Sequence, residues 1–299
     1  MLVRRWLDEA GIHDPVLRQC YTLCARRAAG EDGGNLRWWG LRSVPAAVRP
    51  HMAAMAALGF EADLRADTGP VGQRRRTFDA YVDAALAAIS AGHAADPVHH
   101  AVAHTMCASG MSTIMLTDWF DAMRRDIDFA EFATFEEVRQ WARMTASGSL
   151  VGMMTLLEGA DVARELEDVL DEFSVLLQWT DQLADLAEDL DNGRMYLPLA
   201  DLDRFGVRAE DLKARRWMPG MAELLAFEAD RVTSRMPALV AQQQRHTASA
   251  LVAALHDHCT LMLHQVLSDG PALLRRPSRV PLADRLDVWL PVWRSTIPC

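Results

Sequence analysis

Residues 177–207 read LQWTDQLADLAEDLDNGRMYLPLADLDRFGV, and the rest of the chain is understood from this stretch. Its first half has helical character and carries Asp181, Asp185, Glu188 and Asp189. Residues four apart drift only about 40° around a helix, so Asp181, Asp185 and Asp189 are expected on one face of a single helix. Leu177, Leu183, Leu186, Ala187 and Leu190 fall largely on its other sides. Asn192-Gly193-Arg194 and Tyr196-Leu197-Pro198 then break the pattern. A run of acids on a helix is most often a solvated face. Three stacked carboxylates nevertheless repel, at roughly 0.2–0.5 kcal/mol per exposed pair, and a hard divalent cation with oxygen ligands relieves that repulsion.

The whole string resembles the second aspartate-rich motif of the squalene/phytoene synthase family, the trans-isoprenoid enzymes that condense prenyl diphosphates head to head. Gln178, Asp185, Glu188, Asp189, Gly193, Arg194, Tyr196, Leu197, Pro198, Phe205 and Gly206 fall in register with it. Two positions depart from it: Asp181 stands where the family has Asn, and Ala184 where it has Arg. About 120 residues upstream, Asp63 and Asp67 keep the outer pair of the family's first Asp-x-x-x-Asp, while Leu64 replaces its inner Asp. The resemblance implies that the two motifs face each other across a helix bundle. It also implies Mg²⁺ held by Asp63, Asp67, Asp185, Glu188 and Asp189, with Arg194 and Tyr196 bonding the departing diphosphate. Asp181 adds charge and could coordinate directly or act as a base.

Between the motifs the signals are weaker. Trp38-Trp39 precede the first acidic helix, as core anchors or as walls of a hydrophobic pocket. Thr68 to Arg76 reads as a loop whose Arg74, Arg75 and Arg76 either clamp a diphosphate or balance local acids. Phe78 to Ser90 reads as a helix, and Asp96-Pro97-Val98 opens the next, with Pro where its missing N–H costs nothing. His100 and His104 have the spacing of a helical metal pair, yet no third ligand accompanies them, which favours a structural role. Thr134 and Glu137 form a capping box. Residues 1 to 30, Met221 to Val240, Thr247 to Leu267 and Arg279 to Trp293 read as further helices.

Composition bounds the rest. A chain of 299 residues, 50% hydrophobic, buries a large core. A formal net charge of −10 argues against nucleic acid as a partner. The cysteines form no Cys-x-x-Cys pair, and Cys20 and Cys24 read as core thiols of a reduced protein. No apolar run approaches ~18 residues, so no stable membrane insertion and a cytoplasmic location are expected. No strand alternation is present. The expectation is an all-α fold, one domain over residues 1–299, which the resemblance makes an isoprenoid-synthase bundle around a central cavity.

The substrate expectation follows from the departures. Loss of the inner Asp at Leu64 and of the Arg at Ala184 suggests that one prenyl diphosphate is bound, not two. The family contains squalene synthase-like prenyltransferases that act on aromatic secondary metabolites, carbazoles among them. Trp38, Trp39, Gln178, Trp179 and Ala184 are the candidate substrate-binding positions for a small aromatic acceptor, which would receive a dimethylallyl-type group. Head-to-head condensation, cyclisation of one diphosphate, and a catalytically silent scaffold are the alternatives. The oligomeric state is left open.

Overall fold

The computed structural model describes residues 2–29, 41–242 and 249–295, and every described element is helical. The chain divides into two compact units, residues 1–127, 151–165 and 289–299 in the first and 128–150 and 166–288 in the second. No described helix is long and apolar enough to cross a membrane.

The first unit is built from α1 (Leu2–Glu9), α2 (Pro15–Ala29), α3 (Arg49–Asp67), α4 (Val71–Ala91), α5 (Pro97–Ser109) and α6 (Ile114–Ile127). The stretch 1–30, read as helical, forms two helices. Gly11 turns the chain at φ +68°, and Asp14 starts α2 by accepting the N–H groups of Val16 (2.9 Å) and Leu17 (2.8 Å). Asp96 caps α5 in the same way, through Val98 and His99 at 2.9 Å each, with Pro97 at the first position as read from sequence. On α3 the buried residues are mostly small: Ala53, Ala54, Ala57, Ala62 and Ala66 let neighbouring helices approach closely. Tyr21 ties this core together. Its hydroxyl lies 2.8 Å from Thr105 Oγ1 and from His104 Nδ1, and donates to the Ala101 carbonyl at 3.1 Å. Burial pushes its pKa upward, and Cys24 beside it is pushed up to about 12, so both stay neutral. His104 is one partner in this hydrogen-bonded cluster.

The long α7 (Phe135–Glu158) contributes its residues up to 150 to the second unit and the remainder to the first, which also holds α8 (Ala160–Glu165). Thr134 and Glu137 cap α7. Thr134 Oγ1 accepts from the Glu137 N–H at 3.4 Å, while the Glu137 carboxylate takes the Ala133 N–H at 2.7 Å, one residue earlier than the usual box.

In the second unit α9 (Glu167–Ala184) is the central helix, followed by the short α10 (Leu186–Asp191), α11 (Leu199–Arg204) and α12 (Ala209–Lys213). Then come α13 (Met221–Thr233), α14 (Met236–Gln242), α15 (Ser249–Asp269), a 3₁₀ turn (Gly270–Leu274) and α16 (Leu282–Ser295), whose residues from 289 on belong to the first unit. Leu170, Phe173, Leu176, Trp179 and Leu183 of α9 are buried, and α9 packs on α13, α14 and α15. Each such side chain contributes about 1.5–3 kcal/mol of burial. The expected helix over 221–240 is interrupted at Ser234–Arg235, because Pro237 has no N–H to give the carbonyl of Thr233 four residues earlier and its ring crowds that carbonyl. Gly220 has no substitute. A Cβ there would stand 1.9 Å from the carbonyl oxygen of Phe205.

Candidate active site

The acidic stretch lies in the second unit, and its helix is broken where a single one was expected. Asp185 sits between α9 and α10 at φ −96°, ψ 14°. The i→i−4 hydrogen bonds nevertheless run through the break, Asp185 N–H to Asp181 O and Asp189 N–H to Asp185 O, both 2.9 Å. Asp181, Asp185 and Asp189 therefore keep helical spacing. At the break the Ala184 carbonyl accepts the N–H of Ser278 at 2.8 Å.

Asp189 is the unusual group. Its Oδ2 is buried with no hydrogen-bond partner. Burial, together with the charges of Asp185, Asp181 and Glu188, pushes its pKa up to about 8, against the opposing pull of Arg194. α10 then ends in a Schellman turn. Gly193, at φ +75°, donates to Leu190 O (3.2 Å), and Arg194 N–H donates to Asp189 O (2.7 Å). That turn carries the chain straight into Met195, Tyr196 and Leu197, all buried. The Tyr196 ring packs on Trp141 (4.5 Å between centroids), Phe129 (5.3 Å) and Phe132 (6.0 Å). Leu199 and Ala200 bond backbone to backbone with Phe132 and Ala133 at 2.9 and 3.0 Å. Tyr196 is thus held by an aromatic cluster, and the backbone of Arg194 by a helix cap.

One residue of this site was not read from the sequence. Arg279 extends its guanidinium to the carboxylate of Asp185, with Glu188 Oε2 3.7 Å from its other nitrogen. Nearby, Arg215, a non-glycine at φ 57°, donates to the carbonyls of Ala187 (3.0 Å) and Leu274 (3.1 Å) and pairs with Asp191. The basic run Arg275-Arg276…Arg279 was the available signal, since an acidic cluster needs counter-charge. No spacing rule links residues 94 apart.

The remaining candidates divide as follows. Gln178 is half-buried on α9; Trp179 is 1% exposed, edge-on to Phe135 at 5.4 Å; Ala184 is buried. In the first unit, Asp63 and Asp67 lie in the last turns of α3, half-buried and exposed respectively. Between them Leu64 is 44% exposed, and Phe60, one turn earlier, is 39% exposed. Glu61 lies apart, paired with Arg65 (2.8 Å) and Arg27 (3.3 Å). The expected loop over 68–76 is confined to Thr68–Pro70, and Arg74, Arg75 and Arg76 lie in the first turns of α4. Pro70 is the N-cap residue of α4 and arginine is a good helix former, so the helix begins earlier than the Gly-Pro signal implied. Arg75 pairs with Asp79 at 2.9 Å and Arg74 donates to the Gly69 carbonyl at 3.1 Å, whereas Arg76 is exposed. Trp38 and Trp39 lie outside the described residues.

Among the described residues no three His, Cys, Asp or Glu side chains are drawn together into a finished metal cage. The donor set of the second motif still fits a hard divalent cation in kind. It is all oxygen and anionic, one buried carboxylate oxygen is unmet, and Asp185 already pairs with a cationic group, the Arg279 guanidinium.

The squalene/phytoene synthase family model matches residues 37–285. A bifunctional CrtB/UppS protein of Streptomyces coelicolor is 31% identical over 210 residues, 68% of this chain and 36% of that protein. A phytoene synthase of Mycobacterium tuberculosis is 30% identical over 197 residues, 65% of this chain and 64% of that protein. The matches thus span less than two thirds of each relative's length. Among solved structures, a dehydrosqualene synthase superposes with a TM-score of 0.76 at 18% identity, covering 97% of this chain and 98% of that one. The squalene synthase HpnC of Alicyclobacillus acidocaldarius gives 0.72 at 24% identity, covering 89% and 96%. At those identities the structural likeness speaks for the fold.

Proposed function

The chain belongs to the squalene/phytoene synthase family, and from that premise we propose that it is a Mg²⁺-dependent prenyltransferase that takes an allylic prenyl diphosphate. The observation that carries the reading is the buried, unmet oxygen of Asp189 in line with Asp181 and Asp185, leading directly into the Arg194–Tyr196 turn. Within the second unit, Asp185, Glu188 and Asp189 are the residues that would hold the metal. When bound, Mg²⁺ neutralises the diphosphate so that it can depart. Arg194 and Tyr196 donate hydrogen bonds to the diphosphate oxygens, which gain charge as the allylic C–O bond breaks. The carbocation left behind needs a surround that stabilises charge without attacking it.

We propose as the acceptor a small aromatic secondary metabolite of carbazole type. An electron-rich ring carbon forms the new C–C bond to the prenyl group, and the proton it displaces goes to Asp181 or to water. Exposed Leu64 and Phe60 support this, because an apolar surface beside Asp63 and Asp67 suits a neutral ring better than a second diphosphate. A second reading, head-to-head condensation of two prenyl diphosphates, draws direct support from the phytoene synthase relatives at 30–31% identity.

Mass spectrometry of products separates the two. Purified protein with Mg²⁺ receives dimethylallyl, geranyl, farnesyl and geranylgeranyl diphosphates, each alone and then with phenol, indole and carbazole acceptors. An acceptor gaining one prenyl unit, with no product from diphosphates alone, supports the aromatic acceptor. A C30 or C40 hydrocarbon from one long diphosphate overturns it in favour of condensation, and a cyclic C15 or C20 product overturns both.

A further inference from the structure

In the first unit, α1 and α2 flank an open groove of about 510 Å³ lined by Arg4, Arg18, Arg26, Gln19, Leu7 and Leu23 among others. Pockets for small ligands typically span about 300–1,000 Å³. Residues 18, 22 and 26 follow one another at four-residue spacing, so Arg18 and Arg26 stand along one edge of α2. Arg4 comes from α1. Leu7 and Leu23 supply an apolar floor.

The charge balance of this groove is the reverse of the chain's. The protein carries 41 acids against 31 bases, yet residues 2–29 hold five arginines and only Asp8, Glu9 and Asp14. Two of those acids are spent near the groove. Arg18 gives Nη1 to Asp8 (2.7 Å) and to the Ile12 carbonyl (2.8 Å), and Arg5 takes Glu9 at 2.6 Å. Arg27, which faces elsewhere, pairs with Glu61. No carboxylate among the described residues pairs with Arg4 or Arg26. Two uncompensated guanidiniums drawn onto one groove repel each other, and an anion between them reverses the sign of that interaction.

We propose that the α1–α2 groove is a binding site for an alkyl phosphate: a phosphate or diphosphate head between Arg4 and Arg26, and its apolar tail over Leu7 and Leu23. A lipid headgroup in a bilayer and a free prenyl phosphate share this chemistry. The site is independent of the reaction proposed above.

Calorimetry with dodecyl phosphate below its micelle concentration, in EDTA so that metal-dependent binding is silent, tests it. The groove variant is Arg4→Ser/Arg26→Ser. Its charge-matched control is Arg5→Ser/Arg27→Ser, which removes two arginines already paired with acids. The groove variant binds roughly tenfold more weakly than wild type, and the control stays within about twofold. Dodecanol in place of the phosphate binds much more weakly. Sedimentation with phosphatidic acid/phosphatidylcholine vesicles then distinguishes the sources. Groove-dependent co-sedimentation identifies a bilayer headgroup, whereas groove-dependent calorimetric binding without it identifies a free phosphate. The inference is overturned if wild type binds neither probe, if both variants weaken equally, or if a groove variant with an unchanged circular-dichroism melt binds as wild type does.

Discussion

Two turns in the second unit share one local design and treat their acids in opposite ways. After α10, Gly193 donates to Leu190 O and Arg194 to Asp189 O; after α12, Arg215 donates to Leu212 O and Arg216 to Asp211 O. Each is a Schellman cap with an Asp five residues before an Arg, and each has a left-handed residue between them, Gly193 at φ +75° and Arg215 at φ 57°. At the second turn the acid is fully met. Asp211 accepts from Arg208 at 2.7 and 3.1 Å and from Arg216 Nε at 2.8 Å, and these bonds hold its carboxyl below the usual range. At the first turn Asp189 keeps an unmet buried oxygen, and burial beside other acids drives it the other way. A buried acid that serves folding is surrounded by donors. Asp189 instead makes the fold less stable at neutral pH, which is the pattern of a group kept for a ligand.

The strongest test of that contrast is Asp189→Asn. Turnover of prenyl diphosphate falls by at least about 100-fold, since the substitution removes a charge the metal needs. Stability moves the opposite way. A carboxyl raised to about 8 in the fold favours the native state only while it is protonated. That contribution is complete below the unfolded pKa of about 4 and is lost as pH rises toward 8. The Asn variant therefore melts higher than wild type at pH 8.5 and similarly at pH 4. Unchanged turnover removes Asp189 from the metal set.

Glu228 asks whether an unmet buried oxygen is enough to mark a functional acid. It is 0% exposed, Oε1 has no partner, and Oε2 accepts from Arg231 at 2.7 Å, which also bonds Asp201 at 2.8 Å. Burial, then the nearby Asp201 carboxylate, pushes it up to about 8. Unlike Asp189 it lies in no motif. Glu228→Gln is expected to leave turnover unchanged and to gain stability relative to wild type as pH rises from about 4.5 to 8, on the order of a few kcal/mol. Denaturant titrations at pH 5 and pH 8.5 check this; a fall in turnover at unchanged stability would erase the distinction drawn here. Asp211→Asn completes the set with a smaller effect, a lower Tm and unaltered kcat, and a large loss of kcat with Tm intact would make Asp211 functional.

What the sequence made legible was mostly local. Asp96-Pro97 and Thr134…Glu137 marked their helix starts because a cap is a contact between near neighbours. The order of Asp189, Gly193, Arg194 and Tyr196 was likewise readable from the resemblance alone. The misreadings have tertiary or competing local causes. The helix break at Asp185 is invisible in Leu183-Ala184-Asp185-Leu186, all tolerable helix residues, and coincides with the Ser278 N–H that reaches the Ala184 carbonyl. The loop over 68–76 was overextended because Gly69-Pro70 was read as a stop when Pro70 also starts α4. Glu228 lies in the segment read only as a helix over 221–240, and nothing in spacing reports that its side faces Arg231 and Asp201.

Arg279 carries the smallest effect, through its ion pair with Asp185. The pair with Asp185 is partly exposed, 55% for the Arg side chain and 27% for the Asp, so it contributes no more than about 0–1 kcal/mol. If the guanidinium competes with Mg²⁺ for that carboxylate, Arg279→Ala lowers the Mg²⁺ concentration for half-maximal turnover by roughly two- to fivefold, the range such a pair allows. Raising ionic strength weakens the same pair in wild type and narrows the gap between the two proteins. A half-saturating Mg²⁺ that stays fixed or rises on substitution means that Arg279 orients Asp185 for the cation and does not exclude it.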